Sequence, residues 1–595
     1  MEKTPKEHRF AQASRIIGYL KDYRRIILWG ILALVVTDLL GLIPPWLVKD
    51  AIDSLPSLDS RKGLFPYLAA ILLVACGQAV FRFVWRRSLL GVSRQVEYRL
   101  RNDLFAHLER LDRGFFQRHR IGDLMSRCTN DLTAIQEFIA YFGLLVVDSS
   151  LIIGTCLVLM AIIDPLLTLA CLIPMPFLSV CFLYFGRKVR RKSVQVQNEL
   201  ANLTQVVQET VTGIRMIHAY ALERVRHKRY QEAAEQYIDR NLDLARTRGL
   251  FYACLTFLAG LAVVILIWFG GIRVTGGALT LGGFVALSAY LMMLIWPMMS
   301  LGFMVNLFQR GRASLERLDG IFREQPAIGD PPDPVALKGS RHGVTFRGVS
   351  FRYPGTSRWA LREVSFDVPA GARIGITGPV GSGKTTLLEL IPRAHDPLEG
   401  GVFLDGENVR QLSLQELRGR VALVSQEPFL FSESLAANMA FGAPHEGAER
   451  VEWAARLVRL DKDQDAFPDG WDTVVGERGV TISGGQRQRV ALARAIMTAP
   501  RVLLLDDAFA HLDEETESEV IVNLLGALPE ATILFTSHRI SSLRRADRVL
   551  VLSDGEILQE GHPEELLERP GYLRQIWDQQ TLLRELERIG ARGER

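Results

Sequence analysis

Six mainly apolar runs divide the first half of the chain, at 26–48, 64–85, 142–163, 165–185, 250–272 and 281–306. A helix needs about 20 such residues to cross the hydrocarbon core of a bilayer, so the pattern predicts six membrane spans. The gaps after the first, third and fifth runs are short, whereas those after the second and fourth, 86–141 and 186–249, are long. The long gaps carry clustered Arg and Lys, as in "VWRRSLL", "FFQRHRIGD" and "GRKVRRKSVQ". Loops enriched in Lys and Arg stay on the cytoplasmic side, which places both termini inside. These gaps do not read as loops. "RQVEYRLRNDLFAHLERLDRGFF" keeps helical apolar spacing and strong helix formers. The spans are therefore predicted to continue as helices well beyond the membrane, in preference to an inserted soluble domain in each gap.

After Arg317 the pattern changes. "REQPAIGDPPDPVALKGSRHG" is rich in Pro and Gly and reads as a linker, and beyond it strand-like runs alternate with helical ones, as in parallel βαβ units. The predicted organisation is an N-terminal cytoplasmic segment (1–24), a membrane domain (25–318), a linker (319–343), an α/β domain (344–572) and a charged tail (573–595).

Composition adds little beyond this. The chain is 48% hydrophobic over 595 residues with a net charge of +4, too small to imply nucleic-acid binding. Its six cysteines have no metal spacing and no C-x-x-C. Five of them (Cys76, Cys156, Cys171, Cys181, Cys254) lie in apolar runs, where Cys is an ordinary small core residue. The charged N-terminus lacks a short apolar core with a small-residue cleavage site, so no secretory signal is expected.

The chemistry lies in the second half. "ARIGITGPVGSGKTTLLELI" contains G-x-x-x-x-G-K-T at Gly378–Thr385, after a strand-like run and opening a helix. Gly378, Gly381 and Gly383 let backbone N–H groups turn toward phosphate oxygens, together with Ser382, and the helix N-terminus adds positive potential. Lys384 can reach the outer phosphates, and the Thr385 hydroxyl, followed by Thr386, can ligate Mg²⁺. About 120 residues on, "RVLLLDD" is a buried-strand run ending in acid, and Asp506 is placed to hold the Mg²⁺.

Between these motifs, "TISGGQRQRVALARAI" at 481–496 resembles the signature of ATP-binding-cassette (ABC) proteins. The rest of that family's pattern is present in order. Tyr353 in "SFRYPG" matches the aromatic that stacks on adenine, and Gln426 in "VSQEPFLF" matches the glutamine that senses nucleotide and contacts the membrane domain, and it joins Thr385 and Asp506 as a candidate Mg²⁺ ligand. Glu477 in "VGERG" matches the short acidic coupling element of exporters, Asp513 the loop aspartate of the dimer interface, and His538 in "FTSHRI" the histidine facing the γ-phosphate. "FFQRHRIGDLMSRCTNDL" and "ETVTGIRMIHAYALE" look like the two cytoplasmic coupling regions of ABC exporters. The resemblance implies an all-α six-helix membrane domain of the type I (type IV) exporter fold, joined to an α/β P-loop NTPase domain. It also implies that two such chains pair. Each ATP then lies between the P-loop of one domain and Ser483, Gly484, Gly485 and Gln486 of the other. Closure around ATP drives the change from inward- to outward-facing, and hydrolysis resets it.

At Asp507 the family usually has Glu, which orients or deprotonates the attacking water. Asp is shorter by one C–C bond, roughly 1.5 Å, and misplacement of about 1 Å at a reacting centre can cost on the order of 100-fold. The chain's own site is therefore expected to hydrolyse slowly while still binding Mg·ATP. This pattern resembles one subunit of heterodimeric multidrug exporters, whose intact signature serves a partner half-transporter that carries Glu; a slower homodimer is the alternative. A second departure, Ala510-His511-Leu512-Asp513 where relatives more often read Ser-Ala-Leu-Asp, bears on how this loop meets the partner.

Charges within spans are costly and mark pathways or pairs. Asp38, Asp148 and Arg82 are such charges. They read either as an Arg82–Asp148 pair with Asp38 facing a helix or water, or as acids of a cavity for cationic amphipaths. Met292, Met293, Met298, Met299 and Met304, interleaved with Trp296 and Phe303, suit either an adaptable binding surface or plain packing. The reading is ATP-driven export of amphipathic molecules, with membrane lipids as surroundings. A lipid flippase is the alternative within that class, and a nucleotide-gated channel the alternative outside it.

Overall fold

The computed structural model describes residues 15–57, 61–337, 343–476 and 482–593. It resolves into two compact units: Met1–Glu109 with Arg120–Glu324, and Arg110–His119 with Gln325–Arg595. A ten-residue segment from the gap between the second and third spans thus belongs to the unit built by the second half of the chain.

Six helices of the first unit are long and apolar enough to cross a membrane: Arg24–Ser54, Phe65–Leu108, Ile121–Ile163, Pro165–Thr212, Glu223–Thr275 and Leu281–Arg323. Each carries one predicted span, and the long gaps are filled by continuation of the helices except for one short helix in each, Arg113–Arg118 and Ile214–Ala219, with no inserted domain among the described residues. Strong helix formers carry the polar portions, while π-turns at Arg86–Leu90, Arg127–Asp131 and Phe138–Phe142 interrupt the α-helical pattern of the second and third helices. The sixth helix runs to Arg323, so the first residues of the segment read as linker are helical.

Polar groups fix the ends of this bundle. Asp164 caps the fourth helix by accepting from Leu166 and Leu167 N–H at 3.1 Å each, and it pairs with Arg273 near the end of the fifth. Asp53 accepts from Thr280 Oγ1 at 2.8 Å and Gly282 N–H at 2.9 Å, joining the end of the first helix to the start of the sixth. Beside Pro44 and Pro45, which remove two donors from the first helix, Tyr290 donates its hydroxyl to the Leu42 carbonyl at 2.8 Å. Cys156, Met160, Leu167, Cys171, Leu266 and Tyr290 build the buried interior. Trp29, Leu73, Phe257 and Trp268 stay exposed, as side chains facing lipid would.

The second unit holds two sheets. Strands β1 (Val344–Phe351), β2 (Leu361–Val368), β4 (Glu399–Leu404) and β5 (Glu407–Asn408) form an antiparallel sheet ordered β2-β1-β4-β5. Strands β3 (Arg373–Thr377), β6 (Val421–Val424), β7 (Val502–Leu505), β8 (Thr532–Thr536), β9 (Arg548–Ser553) and β10 (Glu556–Gly561) form the other, ordered β10-β9-β3-β8-β7-β6. Its strands are parallel except β10 at the edge.

Period-two alternation sorts the β7, β8 and β9 side chains onto two cores. Val502, Leu504, Leu534, Leu550 and Leu552 pack with β1, β2 and the helix Lys384–Leu390. Leu503, Leu505, Ile533, Phe535, Val549 and Val551 pack on the opposite face with the helices Ala448–Leu457, Gly484–Met497 and Glu514–Ala527. Both faces are covered, which is why these strands read as unbroken apolar runs. The tail read as a charged segment is a helix, Tyr572–Gly593, anchored by the buried Leu573 with Ile576 and Trp577 against the second core.

Candidate nucleotide site

The carboxyl ends of β3, β6, β7 and β8 converge, and the residues just beyond them carry the predicted chemistry: Gly378, Gln426, Asp506 with Asp507, and His538. The crevice at strand carboxyl ends is where open α/β sheets bind ligands. Here it is a cavity of about 380 Å³ lined by Tyr353, Gly381, Ser382, Gly383, Lys384, Thr385, Thr386, Gln426, Asp506, Asp507 and His538. Trp359 and Thr536 line it too.

Two glycines of the loop after β3 are dictated by geometry. Gly378 has φ of +147° and Gly383 +101°, and a Cβ at either would lie 2.0 Å from the Leu552 carbonyl or 2.3 Å from the Ala360 carbonyl. Lys384 folds back over the loop, donating to the Gly378 and Pro379 carbonyls at 2.9 Å each. Burial pushes its ammonium down in pKa, against the pull of Asp506 and Asp507. Ser382 Oγ is buried with no hydrogen-bond partner, an orphaned polar group in a loop ready to meet phosphate oxygens.

Asp506 is 5% exposed, and burial raises its carboxyl above the usual aspartate range, opposed by hydrogen bonds from Thr385 and Thr536. The Thr536 hydroxyl donates to Asp506 Oδ1 at 3.0 Å and accepts from the Asp507 N–H at 2.6 Å, orienting both acids. A hydroxyl, a buried carboxylate and the amide oxygen of Gln426 make an all-oxygen donor set that fits Mg²⁺. Bound there, the ion would neutralise phosphate charge; Thr385, Asp506 and Gln426 are the residues placed to hold it.

Asp507 turns in the left-handed region at φ of +46°, and its Oδ2 lies 3.5 Å from Gln426 Nε2. The His538 ring shares the cavity, its pKa lowered first by burial and then by Lys384, and pulled up by Asp507. Tyr353 is steadied by its hydroxyl at 3.0 Å from Thr386 Oγ1 and by edge-on contacts with Phe351 and His395.

The signature does not join this cavity. Ser483 caps the helix Gly484–Met497 in a capping box: its Oγ accepts from Gln486 N–H at 3.2 Å, and its own N–H donates to Gln486 Oε1 at 3.0 Å. Gly484 and Gly485 lie against His511, where a Cβ would come within 3.3 Å of the ring and 3.0 Å of the carbonyl. The unusual His511 therefore packs on the signature of its own domain. Asp513 caps the helix Glu514–Ala527, accepting from Thr516 N–H at 2.8 Å. Glu477 lies outside the described residues.

In the membrane unit the acids Asp38 and Asp148 come together, with Arg82 near enough to act on both. Among the described residues no ion pair within 4.0 Å ties Arg82 to either acid, so the direct Arg82–Asp148 pair is not formed. Met292, Trp296 and Phe303 are exposed whereas Met304 is buried, so these residues do not share one surface.

Sequence reading missed Thr536, Trp359 and one ion pair. Glu389, 6% exposed on the helix after the P-loop, pairs with Arg113 from the segment Arg110–His119. Only Thr536 had a usable signal, two residues before His538 on an apolar strand.

Residues 26–298 match the ABC transporter transmembrane region, and 361–510 match the ABC transporter domain. The chain is 35% identical over 576 residues to the multidrug resistance-like ATP-binding protein MdlA of Escherichia coli (strain K12), covering 96% of this chain and 97% of that protein. It is 32% identical over 575 residues to the probable multidrug resistance ABC transporter ATP-binding/permease protein YheI of Bacillus subtilis (strain 168), covering 96% and 98%. The structure of a bacterial Atm1-family ABC exporter with ATP bound superposes with a TM-score of 0.77 over 94% of this chain and 99% of that one, at 24% identity, a likeness of fold. The chain belongs to the ABC transporter family, as a multi-pass half-transporter in which six membrane-spanning helices are fused to one nucleotide-binding ATPase domain.

Proposed function

We propose that this chain is one half of a heterodimeric exporter that moves amphipathic, drug-like or lipid-like small molecules out across the cytoplasmic (inner) membrane by alternating access. In this reading its own nucleotide site mainly holds Mg·ATP, while Ser483, Gly484, Gly485 and Gln486 complete the faster site of a partner that carries Glu after its metal-binding aspartate. The observation that carries it is Asp507. The residue sits in a cavity otherwise equipped with Lys384, Thr385, Gln426, Asp506 and His538, yet its carboxylate is one bond shorter than the usual Glu. The signature supports the reading because its serine and glycines lie outside that cavity, as residues serving another chain's nucleotide would.

The roles follow from position. Lys384 and the loop N–H groups hold phosphates, Tyr353 stacks on the base, and Thr385, Gln426 and Asp506 hold Mg²⁺. Gln426 and His538 flank the attacking water that Asp507 orients weakly. Glu477 and Asp513 serve coupling to the membrane domain and to the partner. Both termini and the nucleotide-binding domain lie in the cytoplasm on the charge distribution of the long gaps. The multidrug names of the relatives support drug-like substrates. The juxtaposed Asp38 and Asp148 support a preference for cationic amphipaths.

The test is to purify the chain alone and measure its ATPase: slow turnover is expected, and vigorous turnover by the pure homodimer overturns the division of labour. Uptake into inverted vesicles against a gradient, abolished when hydrolysis is blocked, separates this pump from a channel.

A further inference from the structure

The C-terminal helix Tyr572–Gly593 meets the turn after β8, which carries His538, through the side chain of Gln580. Leu573, Ile576, Trp577 and Gln580 recur at helical spacing and share one face. Leu573 is 1% exposed, Ile576 and Trp577 pack on the core, and Arg544 stacks over the Trp577 ring at 5.4 Å. The Tyr572 N–H donates to Gln559 Oε1 at 3.1 Å, fixing the start of the helix on β10. Two turns later, Gln580 grips the turn that carries His538. Its Nε2 donates to the His538 carbonyl at 2.7 Å, and its Oε1 accepts from the Ile540 N–H at 3.3 Å.

The same turn is held on two other sides. The Ser537 N–H donates to the Ile376 carbonyl at 3.1 Å, which fixes it to β3. Arg539 pairs with Glu517 and donates to the Leu512 carbonyl at 2.9 Å, which fixes it to the loop ending at Asp513. Neither contact touches the His538 peptide itself. Both Gln580 bonds fall on main-chain groups directly after the side chain lining the cavity, the first on the carbonyl of His538 itself.

We propose that Gln580 is a positioning residue for His538, so that the C-terminal helix sets where the His538 side chain stands in the nucleotide cavity. Gln580 touches no nucleotide; it acts by fixing the two peptides that follow Cα 538, the first of them through the His538 carbonyl itself, and a shift of about 1 Å at such a site is felt strongly. The inference rests on the nucleotide site and not on the slow-site reading.

The test uses the full-length chain, assembled in lipid nanodiscs with whatever half it pairs with. It is photo-crosslinked after timed intervals to azido-ATP labelled on either the α or the γ phosphorus. The α label on this chain's band follows release from its own P-loop, and the γ label follows cleavage there. The variants are Q580E, which is isosteric, keeps the acceptor for Ile540 and loses the donor to His538, and H538A with the double change. Expected are an unchanged melting temperature and a retention time of the α label shortened at least fivefold in Q580E. H538A should give the same loss and the double variant no further one. Wild-type retention in Q580E, additive losses in the double variant, or no effect of H538A would each overturn the proposal. Rapid γ-label loss in the wild type would count against the slow-site reading alone.

Discussion

The side-chain amide of Gln488, fully buried on the signature helix, donates to the main-chain carbonyl of Asp507 at 2.9 Å, while its Oε1 accepts from the His511 N–H at 3.1 Å. One residue thus ties the helix that begins with Ser483 to both ends of the turn after β7. Gln488→Leu keeps the volume but strands two buried main-chain groups, each costing about 1–3 kcal/mol. The expected result is a lower melting temperature of the purified chain together with weaker ATPase in the assembled transporter. Unchanged melting would mean that water replaces the amide and that the tie is dispensable.

The backbone at Asp507 argues for a compromise. Its φ of +46° lies where Asp is tolerated better than longer residues, so Asp507→Glu is expected to cost about 1 kcal/mol of stability. The same change lengthens the side chain by one C–C bond, roughly 1.5 Å, into the cavity. Steady-state ATPase of the chain purified alone is expected to rise about 10- to 100-fold, whereas Asp507→Asn leaves the slow rate nearly unchanged. A glutamate variant no faster than the parent would show that reach is not what limits this site.

What could be read in advance depended on the range of the constraint. Hydrocarbon thickness fixes span length, so the six runs predicted six helices with their polar continuations. A phosphate loop needs particular glycines within eight residues, so Gly378–Thr385 was legible without a fold. The antiparallel sheet was not foreseen, because "EVSFDV" alternates for two faces of a sheet without revealing which strand lies beside it. Contacts remote in sequence left no local trace: Gln580 meets His538 across 42 residues and Arg113 meets Glu389 across 276. The Asp38–Asp148 contact was half legible: both acids stood out inside apolar runs, but their mutual approach depends on how the first and third helices pack.

The Glu389–Arg113 pair makes a prediction of its own. Glu389 is buried, so an unpartnered carboxylate there is costly, but the Arg113 side chain is 53% exposed, which screens the pair. Arg113→Met is expected to destabilise the chain by about 1–3 kcal/mol, and Glu389→Gln by less because it removes the charge that needs a partner. In a double-mutant cycle read by chemical unfolding, the combined variant should cost less than the sum of the two. Additive costs would mean that the two charges do not interact in solution.

His395 sets the pH dependence of this region. It is 8% exposed, its Nε2 is buried without a hydrogen bond, and its ring packs on Phe351 and Tyr353. Glu389, Asp112 and Asp396 pull its pKa up while Arg113 pushes it down, but burial is the largest influence and the pKa falls below the ordinary 6.5. The sign follows from proton counting: between the folded and unfolded values only the unfolded chain binds the proton. Stability is therefore whole above about pH 6.5 and is lost as the pH falls toward the folded pKa. His538 is shifted in the same direction and adds to the slope. Melting temperature followed from pH 7.5 to 5 should decline in the parent and decline less in His395→Phe, which keeps an aromatic ring against Tyr353 and has no proton to take up. Equal slopes in the two proteins would show that His395 is solvated or paired when folded, and that Tyr353 is steadied by something other than a neutral imidazole.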